Sequence, residues 1–530
     1  MKRLLTMLLC GAMVLSLAAC GGGSESTASG GAASGGAEGE ASTTSSDTLT
    51  VVVPMDPGTL EPARINEQAF YDVIHHIYEP LFILDTDGQL QNWLCESYEY
   101  QDDTHLVIHL REGVKFSDGT PLTANDVLWS FQRIVENSLP PISQIMDLDI
   151  ANCEVVDDNT LILATVRPAG TLIKRLAYPG LGVASKAAYD AAGGDWMNGA
   201  AIGTGPYAVK EYVAGDRLDM IANENYWREG EPATPNLRLR FVSDMTSRST
   251  EAKAKGADII INVNPREEES IAAVEGVEVI KAPATNTVYL MMNTKVAPLD
   301  DPAVREAITY AINIPQTIEL AYGNLGTPAS GMVAPGVLGY DENMFNEHFG
   351  HGYDPETAKQ MLADAGYPDG IELEVLVETG DSTRHDIVEA FQAQMAPAGI
   401  NLTITELDSV VLYDRTNQGD QHQLVLSGLT CSDYEADSFL NQILPGSSNI
   451  KMTNFDDPTF ISMIEESGTI LDEAEREQAW KDTLEYLAES NCMIPLWHKE
   501  LISAQMDYVE GFEMSPAFEE HFYQWTTVNK

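Results

Sequence analysis

Ser432, Asp433 and His498 are the one set of nucleophile, carboxylate and imidazole in this chain that could be imagined as a hydrolytic triad. Such a triad works only with all three groups within hydrogen-bond reach. No motif accompanies them: the sequence has no Gly-x-Ser-x-Gly elbow, His-Glu-x-x-His helix, phosphate loop ending in Gly-Lys-Ser/Thr, or EF-hand loop. His75 and His76 are adjacent, so on one helix they would point about 100° apart, a poor arrangement for two ligands of one metal. His348 and His351 have helical i, i+3 spacing, but Gly350 and Gly352 around them argue for a loop. Gly203-Thr204-Gly205-Pro206-Tyr207 has the glycines of a phosphate-cradling turn, yet Pro206 lacks an amide donor and 207–212 reads as strand. No cofactor and no metal is expected. Cys95, Cys153, Cys431 and Cys492 are far apart with no Cys-x-x-Cys, so neither a disulfide framework nor a zinc ribbon is expected, and a single disulfide among them stays open.

Cys20 suits a different chemistry. Lys2-Arg3, then about fifteen mostly apolar residues, then Ala18-Ala19 make a secretory leader too short for a membrane span. The small residues suit a signal peptidase, and the cysteine after them suits thioether attachment of a diacylglycerol. The pattern resembles the bacterial lipobox; an ordinary signal peptide ending near a cysteine is the alternative. Residues 21–46 are almost devoid of core-forming side chains and read as a flexible linker with a reach of roughly 30 Å. The expected placement is therefore the outer face of the cell membrane, anchored at Cys20, or the periplasm if the cell has an outer membrane. A net charge of −51 argues against nucleic acid and anionic lipid as partners.

Residues 47–530 are too many for one hydrophobic core. Strand patterns mark 49–53, 105–110, 161–164, 218–222, 237–242 and 258–263. A helix is expected over 124–136, capped by Thr123, with Val127, Phe131, Ile134 and Val135 on one face. Beyond residue 285 strands and helices alternate: helices at 301–312 and 355–365, strand 371–378, helix 384–396 ending at Gly399, strand 402–407, strand 424–426, helix 473–488, and strands 492–497 and 501–506. The βαβ unit at 371–407 implies a parallel sheet with a right-handed crossover. An α/β architecture of more than one lobe follows.

Residues 105–133, HLVIHLREGVKFSDGTPLTANDVLWSFQR, closely resemble the signature of the family 5 extracellular solute-binding proteins. The likeness continues in order through Tyr78-Glu79-Pro80-Leu81, Gly203–Tyr207, Asn225-Tyr226-Trp227, Met292-Asn293-Thr294, 301–308 and 358–367. It implies a non-enzymatic, two-lobed periplasmic-binding-protein-like fold (class II, cluster C type) with an extra small domain on the first lobe. Mapped onto this chain, 1–19 is the signal peptide and 20–46 the lipidated cysteine and linker. Residues 47–75 with 195–284 and 500–530 form lobe one, 76–194 the extra domain, and 285–499 lobe two. The implied protein is a monomer that captures short peptides by hinge closure near 283–286 and 496–498 and delivers them to ABC permease subunits. A nickel chelate or an oligosaccharide is the alternative solute.

Ligands of open α/β sheets lie beyond the carboxyl ends of the strands. Strand 424–426 then aims 427–434 at the cleft, including Thr430, Cys431, Ser432, Asp433 and Tyr434; Met55-Asp56-Pro57 follow the first strand. In peptide-binding relatives the resemblance implies a Trp and then an Asp that pairs with the peptide ammonium. Here Leu429 and Ser432 stand at those positions, and Asp433 is one residue later. Asp433 either takes over the ammonium, or is an exposed loop carboxylate or serves another ligand. Trp497 either covers a ligand or is interlobe core.

Overall fold

The apolar runs become strands of one long sheet. The computed structural model describes residues 47–64, 71–322, 327–380, 382–445, 447, 450–516 and 520–530; the leader, Cys20 and the linker lie outside the described residues. The eleven strands of the sheet, in chain order, are β1 Thr48–Val53, β2 Tyr207–Val213, β3 Arg217–Ala222, β4 Asn236–Phe241, β5 Ile259–Ile260, β6 Val277–Met292, β7 Thr327–Pro328, β8 Ile371–Glu378, β9 Ile400–Leu407, β10 Leu424–Thr430 and β11 Met493–Met506. Their spatial order is β9-β8-β10-β6-β11-β5-β1-β4-β3-β2, with β7 beside β11. β1 runs parallel to β4 and β5, and β8 parallel to β9 and β10. The principal helices are α1 Ala124–Glu136, α2 Pro302–Tyr310, α3 Pro355–Asp364, α4 Ser382–Met395 and α5 Glu473–Glu489.

Two large hydrophobic cores sit at the two ends of this sheet, and a small third cluster joins Ala284 of β6, Leu501 of β11 and Met514. The first gathers Leu49, Val51, Tyr78, Phe131, Leu239 and Ile259; the second gathers Tyr289, Ile308, Val375, Phe391, Phe439 and Trp480. A four-stranded antiparallel sheet, Cys95–Asp102, His105–Leu110, Thr160–Ala164 and Glu154–Asp157, packs into the first core. α1 covers it. Its start is held by Asp126, which accepts from the Thr123 backbone (3.0 Å) and hydroxyl (2.7 Å). Val127, Phe131 and Ile134 are buried, each worth about 1.5–3 kcal/mol of apolar transfer. Val135, expected on that face, is exposed instead, since it lies a further 100° around the helix from Ile134.

The β8–α4–β9 unit is the expected βαβ, in register from Ile371↔Ile400 to Glu378↔Leu407, with Gly399 at φ 81° turning the chain back. Three expectations are corrected. Residues 492–497 and 501–506 are one strand, β11, because the polar stretch His498-Lys499-Glu500 between them is the passage from one core to the other. Strand 424–426 continues to Thr430, pairing antiparallel with β6 from Met292↔Leu424 to Asn286↔Thr430. Strand 258–263 shrinks to Ile259–Ile260, and Asn262 at φ 53° turns the chain away.

Candidate functional site

β6 and β11 are the strands shared by both cores. They pair from Val277↔Met506 to Met291↔Met493, and the register slips between Pro283 and Thr287 and again between Val288 and Tyr289. The loop after β10 hangs beside this irregular crossing, because Thr430 is paired with Asn286. Asn286 donates to Thr430 Oγ1 (2.7 Å), while its own Oδ1 is buried without a hydrogen-bond partner. Gly428 leaves it room, since a Cβ there would come within 2.8 Å of that oxygen.

Beyond Thr430, Cys431 is buried against the second core and its amide donates to the Thr285 carbonyl (3.0 Å). Ser432 is half-buried. Tyr434 adopts φ 54° and its ring belongs to the first core. The loop therefore spans the gap between the cores. Asp433 is 1% exposed; one oxygen accepts from the Glu435 amide (3.2 Å), and the other is buried with no hydrogen-bond partner. Burial first, and then the negative charges of Asp437 and Glu435, raise its pKa above the usual carboxylate value against the pull of Arg175. Glu435 and Asp437 are compensated: Glu435 accepts from Arg476 (2.5 Å) and Trp480 (2.8 Å), and Asp437 from Arg175 (2.8 Å) and Asn441 (2.6 Å). Asp433 thus carries the least-compensated charge of the three.

The remaining expected residues divide. Asp56 is committed to structural contacts, accepting from Gly58 in its own loop (2.9 Å), from Tyr212 on β2 (2.5 Å) and from Gly215 in the turn after β2 (2.5 Å), with half-buried Met55 and buried Pro57 beside it. Trp497 lies 1% exposed within the second core, on β11 at the crossing. His498 follows it, with Nδ1 against Thr287 (2.9 Å) and Nε2 accepting from the Ser330 amide (3.2 Å). Desolvation lowers its pKa to about 4, so it is a neutral imidazole whose Nδ1–H donates to Thr287. Ser432 and Asp433 are not among its hydrogen-bond partners, and the triad imagined from sequence is not assembled.

Tyr78-Glu79-Pro80-Leu81, Gly203–Tyr207 and Asn225-Tyr226-Trp227 meet in one place. Glu79 accepts from Trp93 (2.7 Å), Tyr226 (2.9 Å) and Trp227 (3.1 Å), and Gly203 and Gly205 let the chain pass directly against the Ile77 and His76 carbonyls. These segments build scaffold. His75 and His76 are buried just past the short helix Tyr71–Ile74, and among the described residues no group of histidine, cysteine or carboxylate side chains could hold a metal ion. The four cysteines are free thiols.

A family model for bacterial extracellular solute-binding proteins, family 5 (middle region), matches residues 89–450. The chain belongs to this family. The resemblance read in 105–133 is thereby borne out, as is the two-lobed α/β fold. The glutathione-binding protein GsiB of Escherichia coli K12 is 27% identical over 478 residues, covering 88% of this chain and 92% of its own. The substrate-binding protein CtaP of Listeria monocytogenes superimposes with a TM-score of 0.81 at 19% identity, covering 91% of this chain and 99% of its own. DppA of Helicobacter pylori, solved with the peptide STSA, gives 0.75 at 20% identity, covering 91% of this chain and 98% of its own. Family 5 proteins bind solutes outside the cell, and among the described residues of this member no helix is long and apolar enough to cross a membrane.

Of the loop residues named from sequence, Asp433 is the one with a buried, unpartnered oxygen, and its surroundings were not anticipated. Asn286, Arg175, Glu435 and Asp437 carried no local signal beyond the alternate carboxylates at 433, 435 and 437.

Proposed function

We propose that this protein is the lipid-anchored receptor of an ABC importer, a monomer that captures short peptides between two lobes and presents them to a membrane permease. The division read from sequence serves this reading: lobe one is 47–75, 195–284 and 500–530, the extra domain 76–194, and lobe two 285–499. Two separate cores joined by β6 and β11, with their register slips, support a hinge at that crossing. Cys20 and the linker would keep such a receptor near its permease and raise its local concentration there.

The observation that carries the solute class is the weakly compensated carboxylate of Asp433, with one buried oxygen unpartnered, in a loop that reaches across the gap between the cores. A primary ammonium is the ligand group that satisfies such a carboxylate, through a charge-assisted hydrogen bond. Asn286 Oδ1 offers a second acceptor at the crossing. Every peptide with a free N-terminus carries an ammonium, and its main chain supplies hydrogen bonds independent of side-chain identity. Relatives point the same way, since GsiB is named for glutathione and DppA holds a tetrapeptide.

The test is mass spectrometry of small molecules released by denaturing the purified protein, followed by titration with the species found. Short peptides with free amino termini, binding saturably, are the expected result. Consistent recovery of a sugar or a metal chelate instead would overturn the reading.

A further inference from the structure

One face of the extra domain touches the second lobe through charges that are hidden from water. Arg175 lies beside Leu172 and Leu176 of the first core, whereas Asp437 lies beside Ala436 and Phe439 of the second. Arg175 donates to Asp437 through Nε (2.8 Å) and Nη2 (2.5 Å), and both residues are no more than 5% exposed. Next to it, Lys174 stands 3.7 Å from both Glu435 and Glu473. The Gly170 amide donates to the Gly468 carbonyl (2.9 Å), and a Cβ at residue 170 would fall 1.9 Å from the Ile470 carbonyl oxygen. The backbones therefore touch as well.

The partners are arranged so that separation would leave each of the buried groups a hydrogen-bond partner on its own side. Arg175 also holds Asp147 of its own domain (3.0 Å), Asp437 also holds Asn441 of its own lobe (2.6 Å), and Glu435 keeps Arg476 and Trp480. Glu473 lies at the rim with 64% of its side chain exposed, and Lys174, with 14% exposed, reaches from there toward the buried Glu435. Arg175, Asp437 and Glu435 would thus each keep a partner on their own side if the two faces parted, which lowers the cost of breaking the buried pair.

We propose that Lys174 and Arg175 of the extra domain form a reversible ionic latch with Glu435, Asp437 and Glu473 of the second lobe, so that the extra domain sets the balance between open and closed forms. This rests on the hinge reading and not on the identity of the solute. It also gives the extra domain a part in capture, because the latch closes on the turn that follows Asp433. A receptor whose closed form is less populated binds its solute more weakly in proportion.

The experiment compares wild type, Arg175→Met, Arg175→Lys and Lys174→Ala, all free of solute. Small-angle X-ray scattering reads lobe opening, and hydrogen exchange reads residues 169–176 and 433–440. Arg175→Met should raise both the radius of gyration and the exchange of these segments. Arg175→Lys should recover part of each, and Lys174→Ala, which removes the longer and weaker contacts of 3.7 Å, should move both in the same direction by less. Unchanged radius and exchange in folded Arg175→Met and Lys174→Ala would overturn the latch. Faster exchange with an unchanged radius would also overturn it, by showing a fixed contact. Failure of peptides to bind would leave these readouts untouched, so the latch and the peptide reading can fall separately.

Discussion

Asp433→Asn should make the solute-free protein more stable and its complex weaker. In the wild type a carboxylate that is 1% exposed, with one oxygen unpartnered, faces Glu435 and Asp437. Leaving such a group unsatisfied costs on the order of 1–3 kcal/mol, which the neutral amide largely removes. The pH dependence has a definite sign. Because burial raises the folded-state pKa, the carboxyl is protonated in both states at low pH and costs nothing there. The cost sets in as pH rises above the unfolded value and is complete above the folded one. The gain in melting temperature for Asp433→Asn should therefore be present at pH 8 and vanish at pH 4.

Binding should move the other way. A peptide ammonium pays for the buried charge in the complex, so the asparagine variant should lose at least tenfold in affinity for free-amine peptides, about 1.4 kcal/mol. N-acetylated peptides should bind both forms alike. Isothermal titration at pH 8 with the paired peptides, beside melting curves at both pH values, reads every part. Equal affinity of wild type and variant for the free amine would remove Asp433 from the site. A variant less stable than wild type at pH 8 would refute the electrostatic argument itself.

Three further outcomes follow from other parts of the chain. Burial, opposed by hydrogen bonds from Trp227, Tyr226 and Trp93, pushes Glu79 up to about 7 from 4.5, a penalty of about 3 kcal/mol that builds up between those pH values. Denaturant melts from pH 4.5 to 8 should accordingly fall less steeply with pH for Glu79→Gln than for wild type, and equal slopes would reject this origin. Gly203→Ala places a methyl 2.0 Å from the Ile77 carbonyl oxygen, so urea unfolding should show a loss of about 1–3 kcal/mol or more; a neutral result would mean that the two segments move apart freely. Cys20→Ser should release the protein from the membrane fraction into the soluble fraction of lysed cells without altering solute affinity, and retention on the membrane would remove the lipid anchor.

Local pattern foretold much of this architecture because each element satisfies its own periodicity. The 105–110 strand alternates buried and half-buried residues, α1 begins at its capping threonine, and the β8–α4–β9 unit turns at Gly399. Pattern failed where an element serves two cores. β11 carries three polar residues in mid-strand because that stretch belongs to neither core, and a window of ten residues reads such an interruption as a turn. β10 ran past its expected end for a related reason. Ser427 and Gly428 are weak strand formers by composition, yet β6 supplies the ladder partners that hold them extended.

The site was less legible than the fold, and the reason is electrostatic. Asp433, Glu435 and Asp437 look equivalent in the sequence, three carboxylates at alternate positions in one loop. They differ only through cations brought from elsewhere: Arg476 neutralises Glu435, and Arg175, 262 residues away from Asp437 along the chain, neutralises that one. The carboxylate left with the weakest compensation is the one able to gain from an incoming ammonium. On the proposed reading, selectivity for a cationic group would arise by subtraction, and no local motif can record which acid remains after the folded protein has paired the others. Chain positions that hold arginines against this loop should therefore change solute preference as effectively as changes within the loop itself.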